Sequence, residues 1–282
     1  MQAKLKITVD RSAERILANR SDRLTPRDAP MQLTPYERSI HFLRGVHSRA
    51  AIALPAFYLF LGASAESKEP YPIEGYPGVV FKHVIEHSSI STVSLSCRKI
   101  FDHRAGLTGA SFAKSPDVVV AKVAEHWATK SSRPLEDAMA ALEFLRSIFR
   151  ECAKADSTLL KESTALSRRI GLLKQYANRS AAHLSLEDYE FSLLDCAHLV
   201  AAMTVIGEII RSFDDPMSQS DYFDEIDNAG LRAAIHLFPG MPNLRLFRSI
   251  SIETQSRLCW EWGSDRGRHM LLEELPYAIG WF

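Results

Sequence analysis

The stretch RPLEDAMAALEFLRSIFREC, residues 133–152, puts Leu135, Met139, Leu142, Leu145 and Phe149 three or four positions apart. That spacing winds onto one face of an α-helix and leaves the charged residues on the other. A helix of this kind needs an apolar partner, and the same period recurs on both sides of it. In TPYERSIHFLRGVHSRA, Thr34 stands at N-cap, Pro35 at the first helical position and Glu37 at the third. These three start signals predict a helix to about Ser64, kinked at Pro55. Its later part, AAIALPAFYLFLGA from Ala50 to Ala63, is apolar throughout. It falls short of the roughly 18 residues of a membrane span and is broken by Pro55, so a buried helix is expected.

Further helices are expected over Val79–Phe101, broken near its serine-rich middle, and over SPDVVVAKVAEHWATK from Ser115. Two more are expected over Ser157–Ala182 and about Leu186–Phe213. The last carries Tyr189, Leu193, Cys196, Val200, Met203, Gly207 and Ile210, a face wider than one partner helix covers. A dimer interface and a thick bundle both account for that width.

The two ends differ in character. AKLKITV, residues 3–9, alternates Leu5, Ile7 and Val9 as a strand does. NLRLFRSISIE (243–253) and RLCWEWG (257–263) alternate in the same way, after an acidic loop, DDPMSQSDYFDEIDNAG, at 214–230. The expected fold is therefore mainly α: a multi-helix bundle with a small β element formed by the N- and C-terminal strands. The expected parts are 1–33 (strand, helix and linker), 34–213 (helical domain) and 214–282 (acidic loop and β-rich appendage).

Lys and Arg number 34, and so do Asp and Glu, so no global field draws nucleic acid or an anionic membrane, and any basic surface must be local. The four cysteines form no CxxC pair and the N-terminus lacks a secretory apolar core. Reduced, buried thiols in a cytoplasmic protein are expected, with no membrane partner. There is no Gly-x-Gly-x-x-Gly, no phosphate-loop lysine motif and no Gly-x-Ser-x-Gly. His83 and His87 could share one helix face as metal ligands, but no third ligand follows from spacing, so no metal is expected and a metal-dependent hydrolase ranks third among the readings. Arg98 and Asp102 are spaced for an intrahelical ion pair.

The richest constellation is KQYANRSAAHLSLEDYEF, residues 174–191. Between Ser163 and Leu186 there is no acid, while Arg168, Arg169, Lys174 and Arg179 are all present. Such a local excess of positive charge suits a phosphate backbone. It leads to His183, which lies at the seam before the capping box Ser185–Asp188. Arg179 and His183 are four apart and share a helix face. A helix C-terminus favours a protonated imidazole, one able to donate a proton near neutrality.

Here QYANRSAAHLS, followed by a long amphipathic helix, resembles the HEPN superfamily, and SLSCRKIFDHRAGLTGAS resembles its abortive-infection AbiU-type branch. The similarity spans roughly 36–213. It implies a HEPN-like helical bundle and a metal-independent endoribonuclease without cofactor, commonly a homodimer and often a toxin or antiphage effector that cuts tRNA or other cellular RNA, with a possible antitoxin or defence-system partner. It also implies catalytic duty for His183 and Asn178 and an arginine where this chain has Ala177, while the RNA contacts expected of Arg168, Arg169 and Lys174 rest on the basic run itself. Arg179 stands nearer to His183 than the family's arginine does. Three readings stay open: Arg179 substitutes, the chain is an inactive member that binds RNA or protein in an antitoxin-like or regulatory role, or Ala177 is a substitution that disarms a toxic nuclease.

Overall fold

The computed structural model of the chain describes residues 33–64, 76–101, 108–153, 164–176, 193–214, 222–238 and 264–275. By contacts the chain divides into Met1–Thr34 and Pro35–Phe282, and the architecture here is that of the second unit. Its described residues are almost all helical: α1 (Pro35–Ser64), α2 (Tyr76–Phe101), α3 (Gly109–Ala113), α4 (Asp117–Ser131), α5 (Leu135–Ala153), α6 (Ala165–Tyr176), α7 (Leu193–Asp214), α8 (Tyr222–Leu237) and α9 (Asp265–His269). The last runs on into a π-helical turn, Met270–Glu274.

α1 is the organising element and packs most extensively on α2, α7 and α8. It starts where Thr34-Pro35 predicts and continues through Pro55. Opposite Pro55 lies Gly230 of α8, where an added Cβ would come within 2.8 Å of the proline Cβ. α8 can approach α1 this closely only because that position has no side chain.

α7 is buried around its whole circumference: every residue from Cys196 to Ile210 is inaccessible or nearly so. The wide apolar surface read from the sequence is therefore covered within the chain, so the bundle accounts for it. An aromatic knot of Phe42, Phe101, Phe112 and Phe149 ties α1, α2, α3 and α5, with ring centroids 5.5–6.0 Å apart. Trp127 of α4 stacks on Phe213 of α7 at 5.3 Å, and the Arg133 guanidinium lies 4.9 Å from the Phe213 ring.

The local signals explain the short elements. Thr108 caps α3 through its hydroxyl, which accepts from the Ser111 amide. Ser264 caps α9 in the same way at Gly267. α4 ends at Ser132, which takes the left-handed conformation (φ 56°).

Two expectations need correction. The serine-rich middle does not break α2, because Ile90, Val93 and Cys97 bury that stretch in the core and packing overrides the weaker helix propensity of serine. Part of the expected acidic loop is helix: Tyr222–Leu237 forms α8, whose later residues, Ala234 among them, join the core. No strand occurs among the described residues. The three expected strands, at 3–9, 243–253 and 257–263, lie outside them.

Candidate functional site

Ala177, Asn178, Arg179 and His183 lie outside the described residues. Their frame is described: α6 ends at Tyr176, α7 begins at Leu193, and the two helices pack on each other. A buried polar clamp fixes that pair. Arg169 Nε donates to Asp195 Oδ1 at 3.0 Å, and its Nη1 donates to His198 Nδ1. His198 Nε2 lies 2.8 Å from the carbonyl oxygen of Leu271 in the π-helical turn. An arginine only donates and a carbonyl only accepts, so the ring must be neutral with its proton on Nε2. Burial, reinforced by the Arg169 charge, pushes His198 down to about 4, against the opposing pull of the Leu271 carbonyl and Asp195. A second tie runs from the Glu273 carboxylate to the Ala165 amide at the start of α6, at 3.0 Å. The C-terminal helical segment thus locks both helices that flank 177–192.

This clamp changes the reading of the basic stretch. Arg168 faces solvent, but Arg169 is turned into the clamp, and Lys174 is only 5% exposed. Lys174 sits close enough to Cys97 and Cys152 for its charge to oppose the rise that burial imposes on both thiols, Cys97 to about 12. The reason is helical geometry. Arg169 shares a face with Leu166 and Leu173, and Lys174 with Ile170, all fully buried. Read around the helix rather than along the sequence, two of the three described cations of the stretch point inward, and of the three Arg168 alone is exposed.

A second charge cluster lies at the end of α7. Asp214 is the last residue of that helix, where a carboxylate opposes the dipole. Arg44 of α1 donates to both its oxygens, at 2.7 and 3.2 Å, and Lys130 of α4 is 3.5 Å away. Burial pushes the Asp214 carboxyl up, but the Arg44 hydrogen bond and the Arg44, Lys130 and His126 charges outweigh it and hold the group below its ordinary value. The His83 pair of the sequence reading is exposed: His83 lies 3.6 Å from Glu86, and His87 faces solvent. No group of three or more metal-ligating side chains occurs among the described residues.

A concave surface runs along the α1 face that carries Arg38, His41, Gly45 and Arg49. A cavity of about 460 Å³ opens between Gly45 and Arg49 of α1 and Leu95, Arg98 and Lys99 of α2. A second, of about 390 Å³, adjoins it across Phe42 and Thr108 and is bordered by Arg38, Ser111 and Lys114. Among the described residues neither lining contains a carboxylate. The sequence reading missed this groove, although spacings of three, four and four from Arg38 to Arg49 place the four α1 residues on one stripe.

Comparison with protein-family models, with curated proteins and with solved structures returns no match. The chemistry of the chain rests on its own residues.

Proposed function

We propose that this chain is a HEPN-type RNA-processing protein whose reaction is metal-independent endoribonucleolytic cleavage, acting as a toxin or antiphage effector in the cytoplasm. The reading is supported by the Asn178–His183 set, which lies in sequence between two helices that pack on each other. In the reaction the ribose 2′-OH attacks the adjacent phosphorus and the 5′-oxygen leaves. His183 takes the proton from the attacking hydroxyl or returns one to the leaving oxygen. A guanidinium beside it offsets the charge that builds on the non-bridging oxygens. The products are a 2′,3′-cyclic phosphate and a 5′-hydroxyl. Two copies of the chain would supply a composite cleft.

A second reading is favoured by one residue. Ala177 stands where the resemblance places the arginine, so no guanidinium comes from that position. The chain then binds RNA or a partner protein without cutting, unless Arg179 serves instead. Cleavage assays on the chain as it stands and on Ala177→Arg, with chelator present, separate the two. Cutting that needs the arginine supports the nuclease reading, and RNA binding without cutting by either protein supports the second.

A further inference from the structure

We infer that the groove between α1, α2 and α3 is a docking track for the sugar–phosphate backbone of a single-stranded RNA. The inference deepens the proposed function and rests on it for the identity of the polyanion. The groove itself rests on three observations.

The first is charge. Arg49, Arg98 and Lys99 border one cavity and Arg38 and Lys114 the other, and no carboxylate is among the described residues that line either. In a chain with equal numbers of acidic and basic residues, Arg38, Arg49, Lys99 and Lys114 make this a locally basic surface.

The second is shape. Arg38 and Arg49 lie eleven residues apart on one helix, a rise of about 16 Å. The two cavities are contiguous along that length because they share Phe42 and Thr108. A compact anion would fill one cavity, whereas an extended polyanion uses both. Leu95, 47% exposed, adds an apolar surface that a ribose or base can cover.

The third is Gly45. A glycine within a helix costs about 1 kcal/mol relative to alanine. Packing does not require one here, since nothing lies within 4 Å of a Cβ built on Gly45. Elsewhere in the body a glycine answers a close neighbour, as Gly62 does under the Phe238 ring. At Gly45 the open space belongs to the groove, and the missing side chain lets a strand approach the α1 backbone.

Recognition of this kind is electrostatic and tolerant of sequence. The affinity falls with salt with a slope of about −0.7 per neutralised phosphate. The test is the binding of a fluorescent single-stranded RNA nonamer to the full chain across a salt series, beside Gly45→Ala, Gly45→Glu and Arg49→Ala. Thermal unfolding of each protein checks that it folds. Gly45→Glu should weaken binding roughly tenfold or more by placing a carboxylate in the groove, and Arg49→Ala should flatten the salt slope by about 0.7. Gly45→Ala should weaken binding by a smaller factor, roughly two- to threefold, because its methyl intrudes where the strand approaches the α1 backbone. A mononucleotide should compete only weakly. Equal binding by all four proteins would overturn the groove assignment while leaving the nuclease reading standing. A mononucleotide that competes as well as a nonamer would overturn the track in favour of a small-ligand pocket. If the unaltered chain and Ala177→Arg bind no RNA, both the groove assignment and the nuclease reading fall.

Discussion

Single glycines divide the molecule into positions that are full and positions that are open. At Gly109 an added Cβ would meet the Phe149 ring at 2.4 Å and the Ile100 carbonyl oxygen at 2.8 Å. Backbone cannot yield there and the ring is locked in the aromatic knot, so Gly109→Ala should destabilise the fold by roughly 1–3 kcal/mol. Gly45→Ala meets nothing and should stabilise it by up to about 1 kcal/mol. Denaturant titration of the two variants reads both signs, and equal effects would contradict the packing described. The same scale shows why composition misled. Arg169 and Lys174 count as basic residues in a run, yet only their position around α6 decides whether a phosphate can reach them. His198, in contrast, carries no signal in the sequence. Its partner Leu271 is 73 residues away, and nothing local marks it as the centre of a clamp.

At the scale of elements, the clamp makes the α6–α7 pair sensitive to acid. The unfolded His198 titrates near 6.5 and the folded one at about 4, so protonation favours the unfolded chain. The stability this histidine protects is whole above pH 6.5 and is lost as the pH falls toward 4. Asp214, whose folded value is also lowered, contributes in the same direction at more acidic pH. His198→Gln keeps a hydrogen-bonding side chain that does not titrate. It should flatten the decline in stability between pH 6.5 and 4, measured as the midpoint of urea unfolding against pH. An unchanged pH profile would contradict the neutral, clamped ring. Arg169→Ala removes the donor to both Asp195 and His198 and should cost roughly 1–3 kcal/mol. Elements with a strong local pattern were legible in the sequence: α5 from its stripe, α1 from three agreeing start signals, α4 from Ser115-Pro116-Asp117. α8 was not, because its acidic first turns read as loop when the apolar residues that follow are not counted with them. α9 and its π-helical turn carry too short a pattern to stand out, and their place is set by the ties from Leu271 and Glu273 to the α6–α7 pair.

For the whole molecule, the helical class followed from periodicity, since a stripe such as that of α5 cannot be buried except against other helices. The groove was legible in part, as the Arg38–Arg49 stripe of α1. Its α2 and α3 sides were not, because Arg98, Lys99 and Lys114 reach it only through tertiary packing. Two helices, over Pro35–Ala63 and Asp195–Asp214, are long and apolar enough to cross a membrane, and the rest of the chain covers 61% and 94% of their most apolar windows. That burial fits a core role for both. The most direct test of the nuclease reading is cleavage of a broad RNA panel in excess EDTA by the chain as it stands, by Ala177→Arg and by Ala177→Arg/His183→Ala. Cutting by Ala177→Arg alone, with 2′,3′-cyclic phosphate ends, is the predicted result. No cutting by any of the three, with all of them folded, would contradict catalysis at this site.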